Sequence, residues 1–379
     1  MSDIVVRPYE PKDQEQTWQV RAMTYNDGRP IPVEQQVYKT ATPFVGEVDG
    51  RVVGTFVIMD MTCTRGRQAE WKTGGIAGVA VLPEARQSGV GNAMMRWSLR
   101  YMHEQGYVLA ALYAFRESYY RKFGYEVCGI RHRISCPTGR LPRIEAALPV
   151  RRILHSDLEQ IKPCYEGFAR ARSGMNLRTG LHWGRIITDD LVRTIYAAGD
   201  PIEAYAILEH RVDFWDDQPI LEFAWTTMRG YEAMLSLFAS VGINKTAVSW
   251  YEPSDGPFLT RFCDQGVKAD AVKPIMFRVI NFPKALEQLA CSSDGEFSVA
   301  VEDEDLGENG GPWQVCFSDG RMRVERATCA ELALDARSAV QVLLGQPSLE
   351  DLARNRIVAE CDAAQRLLPA APVFCIDYF

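Results

Sequence analysis

The residues best suited to chemistry form one run, Gly78-Val79-Ala80-Val81-Leu82-Pro83-Glu84-Ala85-Arg86-Gln87-Ser88-Gly89-Val90-Gly91-Asn92-Ala93. Its apolar start reads as a strand, its middle as a turn carrying Arg86 and two glycines, and its end as a helix. Such a turn lets several backbone N–H groups converge at the positive end of a helix with no side chain in the way, which makes a cradle for a diphosphate. A dinucleotide fold wants G-x-G-x-x-G with a later acidic ribose contact, and a P-loop wants G-K-[ST]; this run has neither. Read locally, it is a phosphate cradle or an ordinary glycine-rich connection. The second run is Glu117-Ser118-Tyr119-Tyr120-Arg121-Lys122-Phe123-Gly124-Tyr125-Glu126. A phenol ionises near 10 and is still protonated at neutral pH, so it is a plausible acid for a departing thiolate whose thiol ionises near 8.5. Tyr119 and Tyr120 project about 100° apart on a helix, so one of them faces the reacting group while the other packs. The alternative for the whole segment is aromatic cover for a sheet edge.

Other constellations are thin. The five histidines, at 103, 132, 155, 182 and 210, form no H-E-x-x-H and no close pair, and the ten cysteines include no C-x-x-C, so no metal is expected. Cys128 has no evident activating partner, and a reduced chain with mostly buried thiols is the expectation. The 42 Lys plus Arg against 49 Asp plus Glu give a net charge of −7, which argues against a nucleic-acid partner and favours cationic ligands. No apolar run approaches the roughly 18 residues of a membrane span, and no targeting segment is evident, so a cytoplasmic location is expected.

The elements that position these runs follow from pattern. With 379 residues, 47% apolar and 24% charged, the chain has globular composition and room for two or three domains. In the first section, to about residue 140, Phe44 to Val48 and Arg51 to Met59 alternate around Asp49-Gly50, a hairpin signal. A polar loop is expected over 62–72, then a strand over Gly75 to Leu82. A helix follows from Gly91, with Met95, Leu99 and Met102 at i, i+4 and i+7 and a stop at Gly106, and then a strand over Tyr107 to Phe115. The second section, 141–274, repeats this layout, with strands over 202–208, 220–225 and 246–250 and a helix bearing Tyr231, Met234, Leu235, Phe238 and Val241. After its Trp225 comes Thr226-Thr227-Met228-Arg229-Gly230, which lacks the glycine spacing of the first turn, so one cofactor site per chain is expected. Trp183 and Trp215 are expected to be core. The third section, 275–379, alternates at Phe297, Val299 and Val301, forms a hairpin across Asp319-Gly320, and carries helix caps at Asp335 and Ser348.

Taken as a pair, the R-x-x-G-x-G run of Arg86 to Gly91 and the Y-x-x-F-G-Y run from Tyr120 to Tyr125 resemble the acyl-coenzyme A site of the Gcn5-related N-acetyltransferases (GNAT). The whole chain is similar to the enhanced intracellular survival (Eis) family, with two acetyltransferase-like mixed-sheet α/β domains followed by a sterol-carrier-like α+β domain beginning at Ile275-Met276-Phe277-Arg278-Val279. The resemblance implies acetyl transfer from acetyl-CoA to a primary amine by direct attack on the thioester. The amine would belong to an aminoglycoside-like or polyamine cation, with a protein lysine, or a non-catalytic lipid carrier, as alternatives. It implies that the backbone of Val79, Ala80 and Val81 holds the thioester and pantetheine, that Arg86, Gln87, Ser88, Gly89, Val90, Gly91 and Asn92 hold the diphosphate, and that Tyr120 is the general acid. It further implies that the final carboxylate, on Phe379, is the general base. Asp377 is expected to supply negative charge toward a cationic amine, with Asp27 and Glu34 as weaker candidates and Tyr378 also assigned to substrate binding. An α-carboxylate near 3.5 is a poor base for an ammonium near 10, so burial or a relaying water would be needed. The resemblance also implies a homo-oligomer, possibly a hexamer.

Overall fold

A computed structural model describes residues 3–31, 41–186, 192–210, 215–272, 275–291 and 293–377. Three sheets organise the chain. The first runs, in spatial order, through Ile4–Pro8, Ala41–Val48, Arg51–Arg65, Ala69–Val81, Leu109–Leu112, Met276–Val279 and Glu126–Val127, with Ser173–Asn176 added against Arg51–Arg65. The expected hairpin is present: Asp49 and Gly50 both take positive φ, the pairing that a tight two-residue connection between twisted strands requires. The expected loop over 62–72 is instead the far end of a longer hairpin, because strands continue to Arg65 and resume at Ala69. Cys63, Thr64 and Arg65 are all buried there against Ser173–Asn176, a non-local pairing that polar composition conceals.

The helix Val90–Glu104 lies on the glycine-faced side of this sheet. A Cβ on Gly46 or on Gly54 would stand 2.7 Å from the sulfur of Met94, so at these positions only glycine lets the helix settle so close. Its inward residues include Met94, Met95, Leu99 and Met102.

The second sheet runs Lys268–Val272, Arg131–Pro137, Ala247–Pro253, Gln218–Trp225, Ala204–Glu209, Arg193–Ala198 and Val150–Ile153, with the helix Met228–Val241 packed on it. The third, of four strands, runs Arg321–Arg326, Trp313–Ser318, Gly295–Glu302 and Leu332–Asp335. Both expected capping boxes are present, at Asp335 and Ser348, and Gly345 ends the helix Ala336–Leu344 in the left-handed conformation. Phe297, Val299, Phe317, Leu343 and Leu344 are buried in the core shared by this sheet and its helices.

Chain order and sheet order part company twice. Arg131–Pro137, which precedes residue 140, pairs into the second sheet, and Met276–Val279, which follows residue 274, inserts into the first between Leu109–Leu112 and Glu126–Val127. The segment expected to head the third section is thus a strand of the first sheet. Burial explains why it sits there: all four of its residues are buried, as in a strand covered on both faces. Its one charged member, Arg278, is 1% exposed and is satisfied by Asp303 (Nη2 to Oδ1, 2.6 Å), by the carbonyl of Phe123 (2.8 Å) and by that of Val279 (2.8 Å). Trp183 is buried as expected, whereas Trp215 is 73% exposed and is not core.

Replacing Arg278 with methionine leaves the Asp303 carboxylate buried without its cation. A loss of about 3–5 kcal/mol is expected in urea unfolding monitored by tryptophan fluorescence. A variant within 1 kcal/mol of the parent would contradict this account of the seam.

Candidate active site

The site begins where two parallel strands stop pairing. Ala69–Val81 and Leu109–Leu112 keep register from Thr73 with Leu109 to Ile76 with Leu112 and no further. On the opposite edge, against Arg51–Arg65, Thr55 pairs with Ala80 and Val57 with Ala77, so three residue steps face two: a β-bulge, with Gly78 at φ +59°. A bulge bends its strand and re-aims the groups on it. Leu82 N–H returns to Val53 O (2.9 Å), so by strand alternation Val81 and Val79 turn their main-chain groups away from that neighbour and into the gap. The contacts agree: Val79 O accepts from the Tyr25 hydroxyl (2.7 Å) and Val81 O from Arg86 Nε (3.4 Å).

The gap opens into a cavity of about 900 Å³, walled by Tyr25, Ala77, Gly78, Val79, Val81, Arg86, Gly91, Tyr113, Phe115, Arg116, Tyr119, Tyr120 and Lys122, among others. One end is the start of the helix Val90–Glu104. Gly89 caps it at φ +94°, and the first intrahelical bond runs from Ala93 N–H to Gly89 O (3.0 Å), leaving the N–H groups of Gly91 and Asn92 ahead of the ladder. With the helix dipole behind them these are anion-binding groups. A Cβ on Gly91 would meet the Tyr119 hydroxyl at 2.9 Å, so a larger residue would narrow the cavity here.

Of the residues expected to hold the cofactor, Val79, Val81, Arg86 and Gly91 line the cavity. Ala80 turns its side chain into the core, 1% exposed, and Val90 is likewise core. Gln87, Ser88, Gly89 and Asn92 ring the helix start; the Ser88 hydroxyl is spent on Ala85 O (2.8 Å) while accepting from Val90 N–H (3.3 Å). Tyr120 also lines the cavity. It is 3% exposed and packs edge-on against Tyr119 and Phe115, and burial, followed by the neighbouring phenols of Tyr119 and Tyr25, pushes its ionisation well above the ordinary tyrosine value. Tyr113, Arg116 and Lys122 are lining residues that sequence reasoning missed, since nothing in local pattern distinguishes them from surface.

Behind Tyr113 comes the chain's tail. Ser173 N–H donates to Pro372 O and Phe374 N–H to Ser173 O (both 2.9 Å), Val373 N–H donates to Gln346 Oε1 (2.9 Å), and Phe374 and Cys375 are fully buried. The Tyr113 hydroxyl donates to the carbonyl of Asp377. The Asp377 carboxylate, expected to meet substrate, is instead engaged internally: it accepts from Arg178 Nε (2.7 Å) and from the Tyr165 hydroxyl (3.2 Å). It lines a smaller pocket of about 260 Å³ with Arg178, Glu222, Asn176 and Met59 rather than the larger cavity. Asp27 lies exposed on the turn after the helix Gln14–Tyr25, at φ +51°, outside the residues that line the cavity. Phe379, Tyr378 and Glu34 lie outside the described residues.

The second sheet splays in the same manner, its parallel pairing limited to Gln218 with Val248 and Pro219 with Ser249. Its helix start is closed. Glu203 holds Arg229 Nε (2.7 Å) and the Thr227 hydroxyl (2.5 Å), Thr227 caps Gly230 N–H (3.1 Å), and a Cβ on Gly230 would meet the Glu203 backbone at 2.9 Å. A carboxylate thus stands beside this helix start, held by the capping hydroxyl and by Arg229, and the Gly230 N–H is already taken by the cap.

Residues 5–128 match the family profile described as Acetyltransferase (GNAT) domain, and residues 282–376 that described as Sterol carrier protein domain. The N-acetyltransferase Eis of Mycobacterium tuberculosis (strain ATCC 25177 / H37Ra) is 26% identical over 373 residues, covering 90% of each chain. Among solved structures, a probable N-acyltransferase of Enterococcus faecalis V583 and a GCN5-related N-acetyltransferase of Anabaena variabilis each superpose over 100% of both chains, with TM-score 0.89 and 20% identity. Eis1 of Mycobacterium abscessus does so with TM-score 0.81 and 16% identity. These structures share the fold over its whole length.

A raised phenol ionisation has a defined sign. The folded chain holds the Tyr120 proton more tightly than the unfolded chain, so this group leaves stability unchanged below about pH 10 and lowers it above. Ultraviolet difference titration of the parent against Tyr120→Phe is expected to show the Tyr120 phenolate absent at pH 10; its appearance below that pH would contradict the burial argument.

Proposed function

We propose that the chain is an Eis-like acetyltransferase of the GNAT kind, which transfers acetyl from acetyl-CoA to a primary amine by direct attack on the thioester, with Tyr120 as general acid. The observation that carries this reading is the shared cavity: the strand gap, the open helix start and the buried phenol all face one space. The diphosphate is assigned to the N–H groups of Gly91 and Asn92, with Gln87, Ser88 and Gly89 shaping the turn. The exposed cations of Arg86, Arg116 and Lys122 border the same cavity and suit a phosphate-bearing donor. The N–H groups of Val79 and Val81 take the pantetheine and the thioester carbonyl, whose oxygen gains negative charge as the amine adds.

The chemistry balances on these groups. The amine lone pair forms the C–N bond, the tetrahedral intermediate collapses with loss of the C–S bond, and Tyr120 delivers its proton to the departing sulfur. Burial keeps the phenol protonated at neutral pH, so a proton is at hand when the C–S bond breaks. We assign removal of the amine proton to the Phe379 carboxylate, as the family resemblance implies. The supporting observation is that the tail, docked as far as Asp377, meets Tyr113 on the cavity wall.

The acceptor is assigned to the resemblance's class of small cationic amines, aminosugar-like or polyamine. The residue division 1–140, 141–274 and 275–379 into donor-binding, cofactor-free and sterol-carrier-like sections belongs to the same reading.

Three measurements test it. Thiol release from acetyl-CoA across aminosugars, polyamines and lysine peptides, with mass spectrometry of products, is expected to yield an N-acetylated amine; failure on every amine would refute the proposal. Tyr120→Phe is expected to lower kcat by about 10²–10⁴-fold while leaving acetyl-CoA affinity in place. Gly91→Val, which fills the helix start, is expected to do the reverse, weakening acetyl-CoA binding in calorimetry by at least about tenfold with the fold intact.

A further inference from the structure

The second sheet repeats the first without its helix-start site, which raises the question of what it contributes. The residues around Arg178 supply an answer. Its side chain is 1% exposed, and its guanidinium is used on three sides: Nη1 and Nη2 grip the two oxygens of Glu222 (2.9 and 2.6 Å), Nε grips Asp377 (2.7 Å), and its plane lies 4.0 Å from the ring centre of Tyr165 and 4.7 Å from that of Trp183. Glu222 stands on Gln218–Trp225, inside the second sheet, where the Tyr205 hydroxyl from the adjacent strand donates to Oε1, the oxygen that also accepts from Arg178 Nη1. Asp377 stands on the tail. The Tyr165 hydroxyl bridges the Asn176 carbonyl (2.7 Å) and the Asp377 carboxylate.

Asp377 is therefore held from two directions. Its side chain is fixed by Arg178, whose anchor is the second sheet, and its main-chain carbonyl by Tyr113, which lines the donor cavity. A buried ion group of this kind is a weak contributor to net stability, because desolvation offsets most of the attraction. What it supplies instead is direction: a planar fork with fixed donor angles admits one placement of its partners.

We propose that the cofactor-free second sheet is a clamp for the tail, and that Arg178 is its positioning residue: by fixing Asp377, it sets how the tail segment ending at Asp377 sits against Tyr113 on the wall of the acetyl-transfer cavity. This rests on the reading of that cavity given above, and it assigns Asp377 to tail placement rather than to substrate contact. Arg178 itself takes no part in proton or acyl transfer.

The test uses the full chain. Asp377→Asn keeps the shape and the Tyr165 contact but removes the charge that Arg178 holds. Its kcat is expected to fall on the order of 10–100-fold, the scale on which misplaced groups slow enzymes, with acetyl-CoA affinity and melting temperature close to the parent's. Arg178→Ala leaves two carboxylates unpaired, so it is paired with a rescue: millimolar guanidinium is expected to restore part of kcat, an effect that a merely structural defect would not show. Hydrogen exchange of the peptide spanning residues 370–377 is read in parallel and needs no turnover; it is expected to speed up in Asp377→Asn while the strand Gln218–Trp225 stays protected. Parental kcat and parental exchange in Asp377→Asn would overturn the clamp, as would a loss of kcat that tracks an equal loss of acetyl-CoA affinity. If the parent acetylates no amine, the parent reading fails, and the exchange experiment still decides whether Arg178 holds the tail.

Discussion

The molecule turns on a failure of pairing. Two parallel strands that are in register up to Ile76 and Leu112 separate beyond that point, and a bulge at Gly78 on the opposite edge bends one of them away. Main-chain groups that would have been consumed in the ladder are left facing a gap, where an unmet hydrogen bond would be costly unless water or ligand supplies a partner. The gap remains open because the surroundings are rigid. The helix Val90–Glu104 sits on glycines 46 and 54 with no Cβ to lift it off, which fixes its N-terminus at the mouth of the same opening. The helix-start N–H groups and the main-chain groups of the strand gap are thus set at a fixed separation by packing alone.

The same construction with a different ending explains the division of labour. The second sheet also splays, but beside its helix start stands the Glu203 carboxylate, held by Arg229 and by the capping Thr227, whose hydroxyl takes the Gly230 N–H. A negative side chain at that position opposes a diphosphate rather than welcoming it. What survives is a rigid platform, and its interior carries Glu222 and Tyr205, two groups useful for holding a buried cation. The third sheet and its helices bury a continuous apolar core that also takes in Trp71, Phe277 and Val373, so the sterol-carrier section and the tail are packed as parts of one body with the first sheet.

Much of this was legible in residue order, and what was not has a common cause. Turns announced themselves through local chemistry: Asp49-Gly50, Asp319-Gly320, the capping residues Asp335 and Ser348 and the stop at Gly345 need no distant partner. The Arg86 to Gly91 turn and the Tyr120 segment were readable for the same reason. Everything missed depended on partners far away in sequence. Polar residues 62–72 become strand because Ser173–Asn176 covers their end, Met276–Val279 joins the first sheet across more than a hundred residues, and Asp377 pairs with an arginine 199 positions earlier. Tyr113, Arg116 and Lys122 became site residues only once the fold placed them around one opening. Periodicity reports burial; it does not name the partner.

The seams between sections make one further point about specificity. Each major junction is crossed by a buried arginine: Arg65 reaches the carbonyls of Leu343 and Pro369 and the hydroxyl of Ser173, Arg178 joins the second sheet to the tail, and Arg278 ties the inserted strand to Asp303 and to the turn after Tyr120. Burial lowers the ionisation of Arg65 to about 10, which still leaves it charged at neutral pH. Replacing an arginine together with its buried carboxylate by apolar residues of similar volume would serve stability as well or better, since contacts between hydrocarbon surfaces are tolerant of small shifts and carry no desolvation cost; removing the arginine alone would not, because its partner stays buried and unmet. That tolerance is the difficulty for a chain whose cavity wall and docked tail come from different sections. Hydrocarbon seams can slide by a fraction of an ångström at little cost, whereas a guanidinium in a dry seam loses its partners if the carbonyls or carboxylates move. The charged seams hold the strand gap, the Tyr120 turn and the tail at fixed positions relative to one another, which is what transfer between two bound molecules requires.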